Sequence, residues 1–432
     1  MNLKFIELSM SYRGEHMITK IMLLSIFTSF ACSAFAAKQV EAEKYWMKLK
    51  ATNKVERTEL LNAGLAIEHG IHDDYAILIG NKDDLEAAKK TGKLIEHFKA
   101  EAGLFDFPSK DSKFHNYDEM LREMQAIRAL NPNIVQLQNI GRTHEGRMIV
   151  NIKISGNMRY SSQLPAIVFT GTHHAREHLS TEMPLMLARA LVEGYNSQNF
   201  NLQKLINSRE INIIPMVNPD GVEHDIADGV YKRWRKNRRD NGDGTYGVDL
   251  NRNYGYLWGT GGSSKRTSSD VYMGPKPFSE PETQAIKAFV ENKPNITTLL
   301  SFHTFSELIL YPWGHTDEPI ANERDRRVHE IMANRMSKWN NYTPQASADL
   351  YKTSGDTTDW AYGEHGIISF TFELDPKSLW SGGFYPGQDM IPVVFNKNIN
   401  PCLYLIEFAD NPYRVLQSRS KRLGFTTDFL EY

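Results

Sequence analysis

Residues 171–178 read GTHHAREH and follow an apolar run, AIVFTG, at 166–171. His174 and Glu177 stand at i and i+3. An imidazole and a carboxylate so spaced, in the tight turn that leaves a strand, can reach one ion. Zinc accepts such nitrogen and oxygen ligands at about 2.0–2.2 Å, and a catalytic zinc keeps one position open for water. A third ligand of the right type, His303, lies in a second apolar run, SFHTF, at 301–305. The carboxyl ends of strands are where α/β sheets place their sites. Spacing alone leaves His173 and His178 open as ligands. Glu373 interrupts another apolar run, FTFEL, at 370–374. A buried carboxylate is expensive unless paired, so Glu373 reads either as an edge-strand residue facing water or as a chemical group. The basic stretch KRWRKNRR (232–239) reads, apart from Arg235, as a solvated run in which Trp234 packs. Asp240 and Asp243, in RRDNGDGTYG (238–247), offer oxygens to calcium, but the glycines and short polar residues favour a turn.

These groups need a scaffold. AIVFTGTHH, INIIPMVNPDG, ITTLLSFHTF and IISFTFELDP are apolar runs of the kind found in buried, mostly parallel strands. MPLMLARALVEGY (183–195) and PETQAIKAFVENK (281–293) read as helices, with Pro184 and Pro281 placed for helix starts. The alternation argues for an α/β fold, a mixed, mostly parallel sheet with helices on both faces. Ahead of it, residues 38–105 look like a separate small unit. YWMKLKA and YAILIG pattern as strands, KVERTELLNAG and DDLEAAKKTG as helices ending in glycine, and LIEHFKA as a last strand. The order β-α-β-β-α-β predicts an α+β, ferredoxin-like arrangement. Between the two, DFPSKDSKFHNYD (106–118) reads as an exposed linker open to proteolysis, with Lys110 and Lys113 as cleavage points.

The N-terminus has the three parts of a secretory signal: Lys20, a short apolar run at 21–31 and Ala34-Phe35-Ala36. The expected signal spans 1–36, with Met17 an alternative start. The run is too short for a comfortable membrane span. The chain of 432 residues, 41% hydrophobic, is long enough for a large core. Its net charge of −2 gives no sign of bulk attraction to nucleic acid or anionic membrane. Of the two cysteines, Cys32 falls in the signal, so the processed chain carries Cys402 alone and has no internal disulfide.

The motifs GTHHAREH, VNPDG (217–221), YKRWRKNRR (231–239), GVDLNRNY (247–254), YMGPKPFSEPET (272–283), SFHTFSELILYPWG (301–314), LYKTSGDTTDWAYGEHG (350–366) and SFTFELDP (369–376) occur together. In order and spacing they resemble the zinc carboxypeptidases of the pancreatic carboxypeptidase A/B and carboxypeptidase T type, the M14 family. The resemblance covers roughly residues 115–412. It implies a phosphorylase/hydrolase-like catalytic domain over 113–412 and one Zn2+ per chain, held by His174, Glu177 and His303. Asp249 matches the carboxylate that orients a ligand histidine. Glu373 matches the general base for a zinc-activated water, and Arg235 the arginine that stabilises the oxyanion. Asn251, Arg252 and Tyr351 match the set that grips a terminal carboxylate, and Arg176 a further substrate-contacting arginine. The position that sets side-chain preference in the family is Thr358. Asp356, two residues earlier, resembles the carboxypeptidase T arrangement, so the expected specificity is mixed, hydrophobic ends together with Lys or Arg.

Phe305 departs from the pancreatic enzymes, which carry tyrosine there. Cis peptides are expected at Thr304-Phe305, Pro312-Trp313 and Asp375-Pro376. The resemblance also implies that residues 38–110 are an inhibitory propeptide. Residues 413–432 extend beyond the family core. The expected protein is a secreted, monomeric zymogen, extracellular or periplasmic, whose partners are peptide and protein C-termini and its own propeptide. No nucleic acid and no stable membrane anchor are expected. The rival functions are a peptidase of the cell-wall γ-D-glutamyl-diaminopimelate bond and a non-catalytic zinc-binding module.

Overall fold

Asparagine starts both helices of the N-terminal part. The side chain of Asn53 accepts from Glu56 N ahead of the helix Lys54–Asn62, and Asn81 forms a reciprocal capping box with Asp84 ahead of the helix Lys82–Lys90. Strands β1 (Tyr45–Lys50), β2 (Glu68–Ile71), β3 (Tyr75–Gly80) and β4 (Leu94–Lys99) form an antiparallel sheet in the order β2-β3-β1-β4. This is the ferredoxin-like arrangement that the strand and helix order predicts. The computed structural model describes residues 45–71, 74–99 and 111–417. The expected signal segment, Lys110 and the tail beyond 417 lie outside them.

The large sheet has eight strands: β5 (Val135–Arg142), β6 (Met148–Ile154), β7 (Ala166–Gly171), β8 (Glu210–Ile214), β9 (Ile296–Thr304), β10 (Leu308–Tyr311), β11 (Thr343–Ala346) and β12 (Ile368–Leu374). Their order is β11-β10-β12-β9-β7-β8-β6-β5. The four apolar runs are the four central strands, and they run parallel to one another. Antiparallel partners flank them on both sides. Alternate residues feed two separate cores. Ile167, Phe169, Ile211, Ile213, Leu300 and Phe302 pack with the helices Tyr117–Leu130, Leu179–Asn196, Glu323–Asn340 and Met390–Phe408. Ala166, Val168, Ile214 and Leu299 face the other way, against Ile286 and Phe289 of Pro281–Glu291 and Trp360 of Thr357–His365. The sheet is therefore covered by helices on both faces, and all seven residues of β12 are buried.

Two expectations change. Pro281 does open its helix, but Pro184 lies inside Leu179–Asn196, whose first turn is Leu179–Glu182. The N–H that Pro184 lacks would have bonded the carbonyl of Ser180. The segment 111–117 is not an exposed linker. Asp111 and Phe114 are buried, and Lys113 N donates to Gln388 Oε1 at 3.0 Å. Residues 412–417 pack on the domain: Pro412–Gln417 forms a turn in which Val415 is buried and Tyr413 Oη donates to Asp325. The cis peptides fall at the three expected bonds. Cys402 is buried and unpaired.

Candidate metal centre and its surroundings

The chain leaves β7 through a crowded turn. A Cβ at Gly171 would stand 1.9 Å from the carbonyl oxygen of Ser180, so only glycine fits. Thr172 follows in the left-handed region at φ 55°, held by the hydroxyls of Ser180 and Thr181. This turn carries His174 and Glu177 at the carboxyl end of β7. His303 lies at the same end of β9, and Glu373 at the same end of β12, directly across from His303 in register. Three parallel strands thus bring the three segments to one edge.

His174 Nδ1 lies 2.7 Å from Glu177 Oε1, His303 Nδ1 lies 2.9 Å from Glu177 Oε2, and the two Nδ1 atoms are 3.1 Å apart. All three side chains are buried. Asp249 Oδ1, 3.1 Å from His174 Nε2, favours a proton on that nitrogen and leaves Nδ1 with its lone pair. Lone pairs and a carboxylate converge on one buried point, an arrangement that a cation relieves. Two imidazoles and a carboxylate suit zinc. The neighbours that spacing left open are otherwise engaged. His173 meets the hydroxyls of Tyr254 (2.8 Å) and Thr357 (3.1 Å), and burial holds its ring well below the usual histidine range. His178 pairs with Asp225 at 2.9 Å. A second group of possible ligands, His144, Glu280 and Glu282, is balanced internally. Arg239 stands 3.0 Å from Glu280, and the Asn237 amide donates to both carboxylates.

Asp249 also links the histidine to a cation. Its Oδ2 accepts from Arg235 Nε at 3.0 Å, so the metal-facing imidazole and the guanidinium are fixed by one carboxylate. Arg235 is 4% exposed. The rest of the basic stretch is not solvated either. Arg233 and Lys236 are buried, Lys236 Nζ donates to the carbonyl of Thr267, and Arg238 lies over the rings of Trp234 and Tyr246. Lys236 found a carbonyl, Arg239 the carboxylate of Glu280 and Arg238 two aromatic faces, which the charge run alone did not reveal. Trp234 packs edge-on against His224.

Glu373 is 4% exposed. Burial, then the negative charge of Glu177, raises its carboxyl well above the ordinary carboxylate range, against the pull of Arg235 and Arg252. It sits on a central strand, so the edge-strand reading is excluded. Arg252 is buried, with Nε donating to Gly262 O at 3.0 Å and Nη1 to Asn251 O at 2.8 Å. Asn251 is oriented by Thr357, whose N–H and hydroxyl donate to its Oδ1, both at 2.9 Å. Tyr351 is buried and hydrogen-bonded to Arg252. Burial pushes its phenol up to about 12 although the guanidinium opposes this. Gly355 packs against the backbone of Arg252, where a Cβ would stand 2.6 Å from the carbonyl oxygen.

Thr358 and Asp356 are buried at the start of Thr357–His365. Thr358 Oγ1 is bonded to Thr371 Oγ1 at 2.6 Å. Asp356 Oδ1 caps the helix, accepting from the N–H groups of Thr358 and Asp359, while Oδ2 has no hydrogen-bond partner. Burial, then the charge of Asp359, raises Asp356 to about 7. Arg176 donates to Arg233 O and Asp270 Oδ2 and lies over the ring of Phe384, which packs edge-on against Phe305. Asp270, Phe384 and the His315–Asp359 pair beside Asp356 were not singled out in the sequence, where nothing marks isolated residues so distant along the chain. Asp243 accepts from Thr245 and Thr267, and Asp240 from Gly242 N, as a turn requires.

A mixed α/β sheet with two imidazoles, a carboxylate and a glutamate at its edge belongs to the metallohydrolase class. The family model for zinc carboxypeptidases matches residues 120–400. The chain is 36% identical over 346 residues to a zinc carboxypeptidase of Saccharothrix mutabilis subsp. capreolus, covering 78% of this chain and 79% of that one. It is 28% identical to carboxypeptidase A2 of Rattus norvegicus, covering 79% and 80%. Its fold is that of the carboxypeptidase A from Helicoverpa armigera, with a TM-score of 0.71 at 22% identity over 88% of this chain and all of that one. The protein belongs to the zinc carboxypeptidase family.

Proposed function

We propose that the chain is an exported zinc-dependent carboxypeptidase that removes single residues from the C-terminus of peptides and proteins, with Glu373 as general base. One observation supports this most: Glu373 sits one strand away from the His174–Glu177–His303 cluster, and Arg235 and Arg252 both act on it. One zinc held by the three ligands would polarise the carbonyl of the scissile bond and lower the pKa of a water towards about 7.

The remaining roles belong to side chains. Arg252, with Asn251 and Tyr351, takes the free terminal carboxylate. A bidentate guanidinium in a water-poor site fits that planar anion. Glu373 accepts a proton from the attacking water. It then returns the proton to the leaving amine as the C–N bond breaks. Arg235, braced by Asp249, faces the oxygen on which negative charge develops. Arg176 contacts the chain upstream of the cleaved bond. Asp356 and Thr358 receive the terminal side chain, and the unpartnered Oδ2 of Asp356 supports acceptance of Lys and Arg beside hydrophobic residues.

The small N-terminal unit is assigned as a propeptide. Its residues lean on the segments that hold the carboxylate-binding groups. Arg57 Nε donates to Leu350 O at 2.6 Å, Thr58 Oγ1 accepts from Lys352 N at 3.0 Å, and Asn62 Oδ1 accepts from Gly262 N at 2.9 Å. Tyr351 itself packs in the apolar cluster of that unit. Export is supported by the signal pattern at 1–36. Among the described residues, no helix is long and apolar enough to cross a membrane.

The test is Glu373→Gln. The substitution keeps shape and removes the base, so turnover should fall by at least about 10³-fold with zinc content unchanged. A variant that retains near-wild-type activity removes Glu373 from the chemistry.

A further inference from the structure

Residues 111–116 lie before the metal-binding segments in the chain, yet they are tied to the loop on the upstream side of the site. Asp111, 5% exposed, accepts from Gln388 N through Oδ1 at 3.1 Å. Gln388 answers, its Oε1 accepting from Lys113 N at 3.0 Å. Phe114 packs edge-on against His178, the residue next to ligand Glu177, with centroids 6.2 Å apart. His178 is bonded to Asp225, and Asp225 accepts from Tyr385 Oη and from Trp234 N.

The loop so held carries Phe384, which lies under the guanidinium of Arg176 and against Phe305. Its own backbone bonds are short-range turns, such as Gly383 N to Ser378 O at 3.3 Å and Tyr385 N to Gly382 O at 3.0 Å. Gly382, Gly383 and Gly387 all have positive φ (122°, 56° and 87°), and glycine leaves such a loop the most conformations to lose. Its order must come from outside ties. One of them, the Asp111–Gln388–Lys113 clasp, comes directly from the 111–116 strap; beside it stand the Tyr385–Asp225 bond, the stack of Tyr385 on Tyr231 with centroids 3.6 Å apart, and the contacts of Phe384 with Arg176 and Phe305.

We infer that the strap is a positioning element of the mature enzyme: Asp111 fixes Phe384 and thereby the binding of residues upstream of the cleaved bond. The inference rests on the carboxypeptidase reading given above. It assigns Asp111 no contact with substrate or metal. It also separates the two lysines of this region. A cut after Lys113 severs the clasp, whereas a cut N-terminal to Asp111 leaves it whole.

The experiment compares kcat/KM for a blocked dipeptide and a blocked tetrapeptide that share their last two residues. Wild type, Asp111→Ala and Asp111→Asn are processed identically from the full chain. Asp111→Ala should lower kcat/KM on the tetrapeptide about five- to tenfold, through KM, with the dipeptide changed less than about twofold, as expected for one buried hydrogen bond. Asp111→Asn, which keeps the accepting oxygen, should restore the ratio. Equal losses on both substrates, or an unchanged ratio in a folded Asp111→Ala protein, overturn the inference. If no variant, wild type included, releases a terminal residue, the carboxypeptidase reading has failed instead.

Discussion

Asp356 divides its carboxylate between two jobs. One oxygen caps the helix Thr357–His365, and the other is buried beside Gly314 with no partner. Burial and Asp359 raise it to about 7, with Arg252 and His315 pulling the other way. Its charge therefore appears as pH rises through about 7. The preference for C-terminal Lys over Phe should climb several-fold between pH 6 and 8. Asp356→Asn should flatten that climb while leaving Phe release within about threefold, because asparagine still caps. A competition assay with C-terminal Phe, Leu, Lys and Arg substrates decides it. An unchanged Lys/Phe profile in Asp356→Asn would remove the carboxylate from specificity. At this scale much of the site was legible. The three candidate metal ligands, drawn from distant motifs, come together, and Asp249 stands behind His174. The packing partners of Arg176 were not legible, since Asp270 and Phe384 approach it only through tertiary contacts that leave no local signal.

The elements that present these side chains were legible in proportion to their burial. The four central strands are almost wholly buried and rich in apolar residues, and stand out as runs. Strand β5 does not, because it is half-exposed and broken by a register shift between Asn139 and Gly141. The helix Met390–Phe408 hides for another reason, the proline at 401 in its interior. The strap at 111–116 misled because its polar residues suggested solvent, whereas Asp111 and His115 are bonded to the domain. His115 is the clearest case. Burial would depress its ring, but hydrogen bonds with Glu123 and Glu182 more than offset this and lift it to about 10. A folded-state pKa above the unfolded value of about 6.5 gives stability that is complete below pH 6.5 and lost as pH rises through 10. His115→Gln should therefore lower stability by about 1–2 kcal/mol at pH 6 and by much less at pH 10. Thermal unfolding of both proteins at the two pH values checks this. A deficit that is equal at both, or larger at pH 10, contradicts the ion pairs.

On the scale of the molecule, the small antiparallel sheet and the large mixed sheet meet at the segments that carry Arg252 and Tyr351. Arg266 pairs with Asp84 at 2.8 Å, Ser269 Oγ donates to Gly64 O at 2.6 Å, and Lys54 reaches Asp317 at 2.8 Å. On the proposed reading, in which Arg252 and Tyr351 grip the terminal carboxylate, a unit seated there competes with any chain end for those groups. The unprocessed protein should hydrolyse a blocked dipeptide at least about tenfold more slowly than protein cut before Asp111, since several polar contacts of about 1 kcal/mol each must be given up for entry. Equal rates before and after cutting would leave the small unit as a folding aid only. Sequence order foretold the ferredoxin-like topology of this unit. It could not foretell where the unit docks, because the contacts join residues some 200 to 300 positions apart.

The most direct test of the central claim is the profile of products released from a peptide mixture by the processed protein, with and without a chelator. Single C-terminal amino acids should appear one after another, stop when the metal is removed and resume when zinc is restored. Internal fragments, or release that the chelator leaves untouched, would contradict a zinc centre acting on the last bond of a chain held by Arg252.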